Sequence, residues 1–321
     1  MARLTLLLTI LAAGASVPAD VPAAASTSAN ESAASDPAAL PAEEDALPVG
    51  SIELRDEEAT VPMGSWGGRP VVSVLIDGKG PYRFVLDTGA SGGVITHTLA
   101  RELGLQTLRE IDVMSPGSST PLKGAVVIVG EMRIGSATVW GSALTAMDLS
   151  AVFRMEGSPV GVLSAAGFPR YLLTFDYPRR AIRLRAGALP SPDGKRVFAY
   201  EALDGLPPLP TVPVTIAGVE LLAHLDTGAP QALLLPEALA SKVKLRGNLV
   251  DVESGATVDQ TFRVRAGTLA GRMTIGDYHW EDPMVHFGGL PRANVGGKIL
   301  SEFEVTLDAT NQRLRLERPS R

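Results

Sequence analysis

The chain has 321 residues, 45% of them hydrophobic and 20% charged, with a formal net charge of −6 and no cysteine. The missing cysteine excludes disulfides, thiolate metal sites, cysteine nucleophiles and a lipidated-cysteine anchor, and the acidic balance, with no concentrated basic face, excludes nucleic acid as a partner. The 33 Gly and 24 Pro favour many short strands and turns around a packed core over long helices.

In chain order, Arg3, the apolar run Leu4 to Ala13 and the small residues Ala13-Gly14-Ala15 read as an export signal over residues 1–15. That run is too short to span a bilayer, and no later one is long enough to anchor the mature protein. An exported chain, periplasmic or secreted, is therefore expected. Residues 16–61 are expected to be a disordered linker or pro-segment. Ser16 to about Val49 is rich in Ala, Pro, Ser, Asp and Glu and lacks apolar periodicity.

From there the chain repeats itself, with one unit over residues 62–187, a connector over 188–204 and a second unit over 205–318. "RPVVSVLIDGKGPYRFVL" and "PTVPVTIAGVELLAHL" each predict two strands joined by a tight turn, and each runs into Asp-Thr-Gly-Ala, at Asp87 and at Asp226. A short helix is predicted after each copy, from Thr96 as N-cap in "HTLARELGL" and from Pro236 in "PEALASKVKL". Next come strand–turn–strand patterns, Ile111–Met114 with Ala125–Val129 and Leu249–Val252 with Thr261–Val264. Trp140 and Trp280 follow at matched places and are expected to fill equivalent core positions. The units end alike. Gly161 to Leu184 aligns without a gap on Ala293 to Leu316, which sets Thr174-Phe175-Asp176 on Thr306-Leu307-Asp308. Asp176 and Asp308 are expected to open turns. His97, His224, His279 and His286 show no short metal-ligand spacing, and no metal or other cofactor is expected.

The paired "FVLDTGA" and "AHLDTGA" stretches, with the two apolar-Gly segments that follow, resemble the aspartic protease superfamily. The DTGA form is similar to the retropepsin-like bacterial branch, and the duplicated chain resembles pepsin. The resemblance implies an all-β, two-lobed fold, each lobe a closed β-barrel-like unit with a short helix. It implies one site shared by both lobes, with Asp87 and Asp226 as the catalytic pair, and a monomeric aspartic endopeptidase acting on a peptide or protein substrate. Two close carboxylates share one proton. The ionised member activates a water and the protonated member hydrogen-bonds the scissile carbonyl. Thr88 and Thr227 would cross-brace the two loops, and Gly89 and Gly228 would let backbone N–H groups approach the carboxylates.

Ala90 and Ala229 stand where pepsin-type enzymes usually carry Ser or Thr. The missing hydroxyl donor should raise the dyad's pKa values and favour mildly acidic activity. The two strand–turn–strand patterns would be flaps, with Pro116, Gly117 and Ser118 at one tip and Gly255 and Ala256 at the other. Two departures stand out. Asn294 replaces an apolar residue before Val295-Gly296, and Ser164 follows Val162-Leu163 where Gly is usual. Ser164 is expected to strain its turn or shift the loop behind Asp87. It leaves a second reading open, a non-catalytic peptide-binding protein on a degenerate form of the fold.

Overall fold

A computed structural model describes residues 3–4, 50–113, 120–153, 155–200, 209–257 and 261–319. Its described residues form mostly β-strands in three sheets, a ten-stranded sheet in the first half, a nine-stranded sheet in the second and a six-stranded sheet joining them.

The first half opens with the expected hairpin. Strands β1 (Arg69–Ile76) and β2 (Lys79–Asp87) pair antiparallel, Val72 opposite Phe84, through a turn in which Asp77 and Gly78 both take positive φ. Both residue types tolerate that region, as a two-residue hairpin turn requires. β3 (Val94–Thr96) leads into α1 (His97–Leu103). The Thr96 hydroxyl accepts the Leu99 N–H, as its sequence predicted, and left-handed Gly104 ends the helix. β4 (Gln106–Val113) and β5 (Leu122–Ile134) form a hairpin whose tip, residues 114–119, lies outside the described residues. β6 (Ala137–Met147) and β7 (Gly161–Ser164) complete the sheet, in the order β4-β5-β6-β3-β7-β2-β1 through its middle.

The second half repeats this plan. β10 (Thr211–Ile216), β11 (Val219–Asp226) and β12 (Leu233–Pro236) answer β1, β2 and β3. β13 (Leu245–Ala256) and β14 (Thr261–Leu269) answer the β4–β5 hairpin. The long β5 and β6 have broken counterparts here: β14 with β15 (Arg272–Ile275), and β16 (Tyr278–Glu281) with β17 (Met284–Gly288). The breaks fall at Gly271 and at Asp282-Pro283, with Gly271 and Asp282 at positive φ and Pro283 unable to donate to a ladder. β18 (Ala293–Gly296) then answers β7 and leads into the single turn α2 (Gly297–Leu300). No helix forms from Pro236, contrary to expectation. That residue gives no side-chain cap, and only a 3-10 turn, Glu237–Leu239, follows it.

The joining sheet is made from both halves. Its order is Val197–Ala199, β20 (Arg313–Glu317), β19 (Glu304–Asp308), β8 (Tyr171–Asp176), β9 (Ala181–Ala186) and Glu58–Pro62. At its centre β8 and β19 run antiparallel with Thr174 opposite Thr306, their hydroxyl oxygens 3.0 Å apart. The residues matched by the sequence repeat thus meet each other, which marks a local pseudo-two-fold axis. Asp176 and Asp308 serve as turn residues, accepting backbone N–H groups from Arg179 and Asn311 respectively. Asp176 also takes the Arg179 guanidinium and Asp308 the Leu189 N–H.

Two further expectations are corrected. Part of the segment read as linker is ordered: Ser51–Leu54 pairs with β6, and Glu58–Pro62 forms an edge of the joining sheet. Trp140 is 43% exposed on an outer face of β6, so it does not fill the core place that Trp280 partly fills.

Candidate active site

β2 begins exposed, β11 begins by alternating half-buried and exposed residues, and both end fully buried, so each delivers its last residue into the interior between the halves. Asp87 and Asp226 are both 0% exposed. Each rides beside a parallel strand. Ser164 of β7 lies level with Asp87, and Gly296 of β18 lies level with Asp226.

The two loops are bound to each other reciprocally. The Thr88 N–H donates to Thr227 Oγ1 at 3.0 Å, and the Thr227 N–H donates to Thr88 Oγ1 at 3.0 Å. Each hydroxyl then donates across the interface, Thr88 to the Leu225 carbonyl and Thr227 to the Leu86 carbonyl. Every donor and acceptor in this buried lattice has a partner, as burial demands. The Gly89 N–H donates to Asp87 Oδ1 at 2.6 Å and the Gly228 N–H to Asp226 Oδ1 at 2.8 Å. The glycines are there for closeness. A Cβ on Gly228 would sit 2.6 Å from Asp87 Oδ2, and one on Gly89 would sit 2.9 Å from Asp226 Oδ1. Each loop therefore touches the opposite carboxylate. Ala90 and Ala229, both 1% exposed, belong to apolar clusters of the first and second half respectively.

Burial pushes the Asp87 carboxyl up to about 6, against the pull of the Gly89 N–H and the Arg69 charge. Burial and the neighbouring Asp87 charge push Asp226 well above the usual carboxylate range. This is the behaviour of two close carboxylates that cannot both ionise freely. Burial drives His224 down to about 4, so it is neutral beside the dyad, with its Nε2 3.3 Å from the Thr88 carbonyl. The Tyr177 phenol is pushed up by burial and by both carboxylates.

The site departs from two-fold symmetry in two ways. Arg69, 1% exposed at the start of β1, reaches across to donate from Nε to the Gly228 carbonyl at 2.8 Å and lies over the Trp66 ring at 5.1 Å. Trp66 in turn packs edge-on against Phe153. Leu209 takes the place of Arg69 in the second half, before Pro210 as Arg69 stands before Pro70, and Ala309 takes the place of Tyr177 after β19. There an apolar crevice of about 210 Å³ remains, lined in part by Thr88, Ala90, Leu209, Leu307 and Ala309. The second departure is Asn294, whose Nδ2 donates to Asp226 Oδ2 at 2.6 Å, both residues being buried.

Ser164 causes no strain. Its backbone is extended (φ −74°, ψ 139°), its hydroxyl donates to the Ala90 carbonyl, and that oxygen caps the 3-10 turn Ala165–Gly167 by accepting the Ala166 N–H. Gly296 has no such freedom, since a Cβ there would lie 2.4 Å from the Gln231 carbonyl oxygen. The expectation that glycine is needed at both places thus holds only in the second half.

Of the residues singled out by sequence, Asp87, Thr88, Gly89, Ala90, Asp226, Thr227, Gly228 and Ala229 all meet at one place. Pro116, Gly117 and Ser118 lie outside the described residues. Gly255 and Ala256 sit in the paired ladder of the second hairpin, opposite Phe262 and Thr261, rather than in its turn. The Phe262 ring covers the face of Gly255 where a Cβ would stand. Arg69 is not among the residues the sequence singles out; it only opens a run predicted to be a strand. Asn294 was noticed only as a departure from an apolar pattern. Among the described residues no group of three His, Cys, Asp or Glu side chains could hold a metal ion, and no helix is long and apolar enough to cross a membrane.

A comparison with curated proteins returns no match. Residues 72–165, which run from β1 through the first Asp-Thr-Gly loop to the turn after β7, match the family described as aspartyl protease. That match lies within the first half and supports the aspartic protease superfamily, and the same strands, loop and carboxylate recur in the second half.

Proposed function

We propose that the chain is an exported aspartic endopeptidase that works as a monomer, its two lobes supplying one carboxylate each. The observation that carries this reading is the reciprocal Thr88–Thr227 lattice, which holds two buried carboxyls face to face with raised proton affinity. In the singly ionised dyad, the charged carboxyl takes a proton from a water held between the two. The protonated carboxyl donates its proton to the scissile carbonyl oxygen, and a tetrahedral diol forms without any covalent enzyme intermediate. Its collapse returns a proton to the leaving amine. The proton belongs to the pair, so the dyad titrates as a unit.

An extended peptide suits the two hairpins that flank the site, β4–β5 and β13–β14. They carry exposed apolar side chains, Leu108 at 50%, Val250 at 58% and Val252 at 47%, beside which a substrate strand could lie. The ground for a non-catalytic binding reading was a strained Ser164, and Ser164 is unstrained.

The test is a pH–rate profile with and without a statine-type transition-state mimic. Because Asp87 is raised to about 6, the active singly ionised dyad fills as pH rises toward that value. The acid limb of kcat/KM should lie in the mildly acidic range, and the mimic should inhibit. A maximum at about pH 2–3, or activity indifferent to the mimic, would contradict the reading.

A further inference from the structure

We infer that Asn294 is a positioning residue for the dyad, supplying to Asp226 the side-chain donor that Ala229 withholds. The inference rests on the protease reading above for its kinetic consequence, though not for the contact itself. Asn294 is 3% exposed and Asp226 0%, and the amide Nδ2 lies 2.6 Å from Asp226 Oδ2 while the Gly228 N–H occupies Oδ1. Both oxygens of Asp226 therefore accept a hydrogen bond from the protein. The lobes differ here at both members of one strand pair. Asn294 pairs in register with His224, two residues before Asp226, and Val162 pairs with Val85, two residues before Asp87. Val162 and Val85 are fully buried in apolar surroundings. The same backbone thus accepts an apolar side chain in one lobe. A buried amide costs free energy unless it is paired, and the Asp226 carboxyl is the partner that justifies it.

A donor aimed at a carboxylate favours the charged form. Asn294 therefore eases the first proton loss from a pair that burial makes reluctant to ionise. The other groups facing the site are Asp87, which opposes ionisation of Asp226, and Arg69, whose charge favours it. His224 is neutral through burial, Arg292 bears on it, and Tyr177 is an un-ionised phenol. None of these groups is removed when Asn294 is replaced by an apolar residue.

The experiment compares wild type, Asn294→Val and the swap Asn294→Val/Val162→Asn as full chains. Two readouts are taken against pH, kcat/KM and the 13C-carboxyl NMR titration of labelled Asp residues. In Asn294→Val the acid limb and the NMR midpoint should both rise by about one pH unit, roughly tenfold in the proton dissociation constant, as loss of a hydrogen bond to a charged group implies. The swap should bring both back toward wild type by giving the amide to Asp87. Asn294→Leu, closer to asparagine in shape, replaces Asn294→Val if the β-branched residue unfolds β18. An unmoved limb and midpoint, with kcat/KM lowered evenly at every pH, would show that Asn294 only packs and would overturn the inference. The NMR midpoint needs no turnover. An inactive wild type would therefore refute the protease reading while the titration still decided the role of Asn294.

Discussion

At the scale of single residues, the site is built on closeness rather than on unusual side chains. Gly228 touches Asp87 and Gly89 touches Asp226, so a methyl group at either place must push a carboxylate aside. Gly228→Ala should lower kcat by at least about 100-fold, since misplacing a reacting group by about 1 Å costs that much. Ser164→Gly, which changes the lobe-one residue to its lobe-two counterpart, should keep activity within a few-fold. It should lose the cap on one turn and the hydrogen bond to the Ala90 carbonyl, together about 1 kcal/mol by chemical denaturation. Equal damage from both substitutions would show that the two loops are not what positions the carboxylates. The carboxyls were legible in the sequence because the same tetrapeptide ended two apolar runs. Asn294 was legible only as an irregularity, because the partner that explains it is 68 positions away in the chain. Arg69 was not legible, because its contact with Gly228 spans 159 positions and no local pattern marks it.

At the scale of elements, the hairpin, the parallel strand beside it and the crossed threonines form the repeating device. Thr88→Val and Thr227→Val each remove a hydroxyl that both donates and accepts across the interface. Each should cost about 1–3 kcal/mol of stability, since a buried N–H and a carbonyl are left unpaired. The double variant should cost less than the sum, because both act on one lattice. Equilibrium unfolding in urea measures this, and strict additivity would show that the four bonds do not act together. Strand pairs and the first helix could be read from turn residues and the Thr96 cap. The second helix could not, since composition suggested it while the absence of a capping side chain at Pro236 left only a turn. The ordered strands at Ser51–Leu54 and Glu58–Pro62 escaped notice because they are short and acquire their partners, β6 and β9, from far along the chain.

At the scale of the whole molecule, two copies of one plan meet through the β8–β19 pairing and through the dyad, and burying that dyad has a cost. Asp87 takes up its proton at about 6 in the folded chain, above the ordinary 3.8. Its contribution to stability is therefore fully present below the ordinary value and is lost as pH rises through about 6. His224, depressed to about 4, works in the opposite sense, its contribution being lost as pH falls toward that value. Comparing variants at one pH cancels the His224 effect. Asp87→Asn should thus be more stable than wild type at pH 7.5, by on the order of 1–3 kcal/mol, and show little advantage at pH 4. Thermal melts at the two pH values check this, and a variant less stable than wild type at both would show that the buried charge is not strained.

The central claim is that Asp87 and Asp226 are two halves of one catalytic site. It is tested most directly by digesting a peptide library with wild type, Asp87→Asn and Asp226→Asn and mapping the cleavage sites by mass spectrometry. Wild type should cut at a defined set of bonds, and each single variant should cut at none of them while remaining folded. Cleavage at the same bonds by either variant, or an untouched library with all three, would contradict the claim.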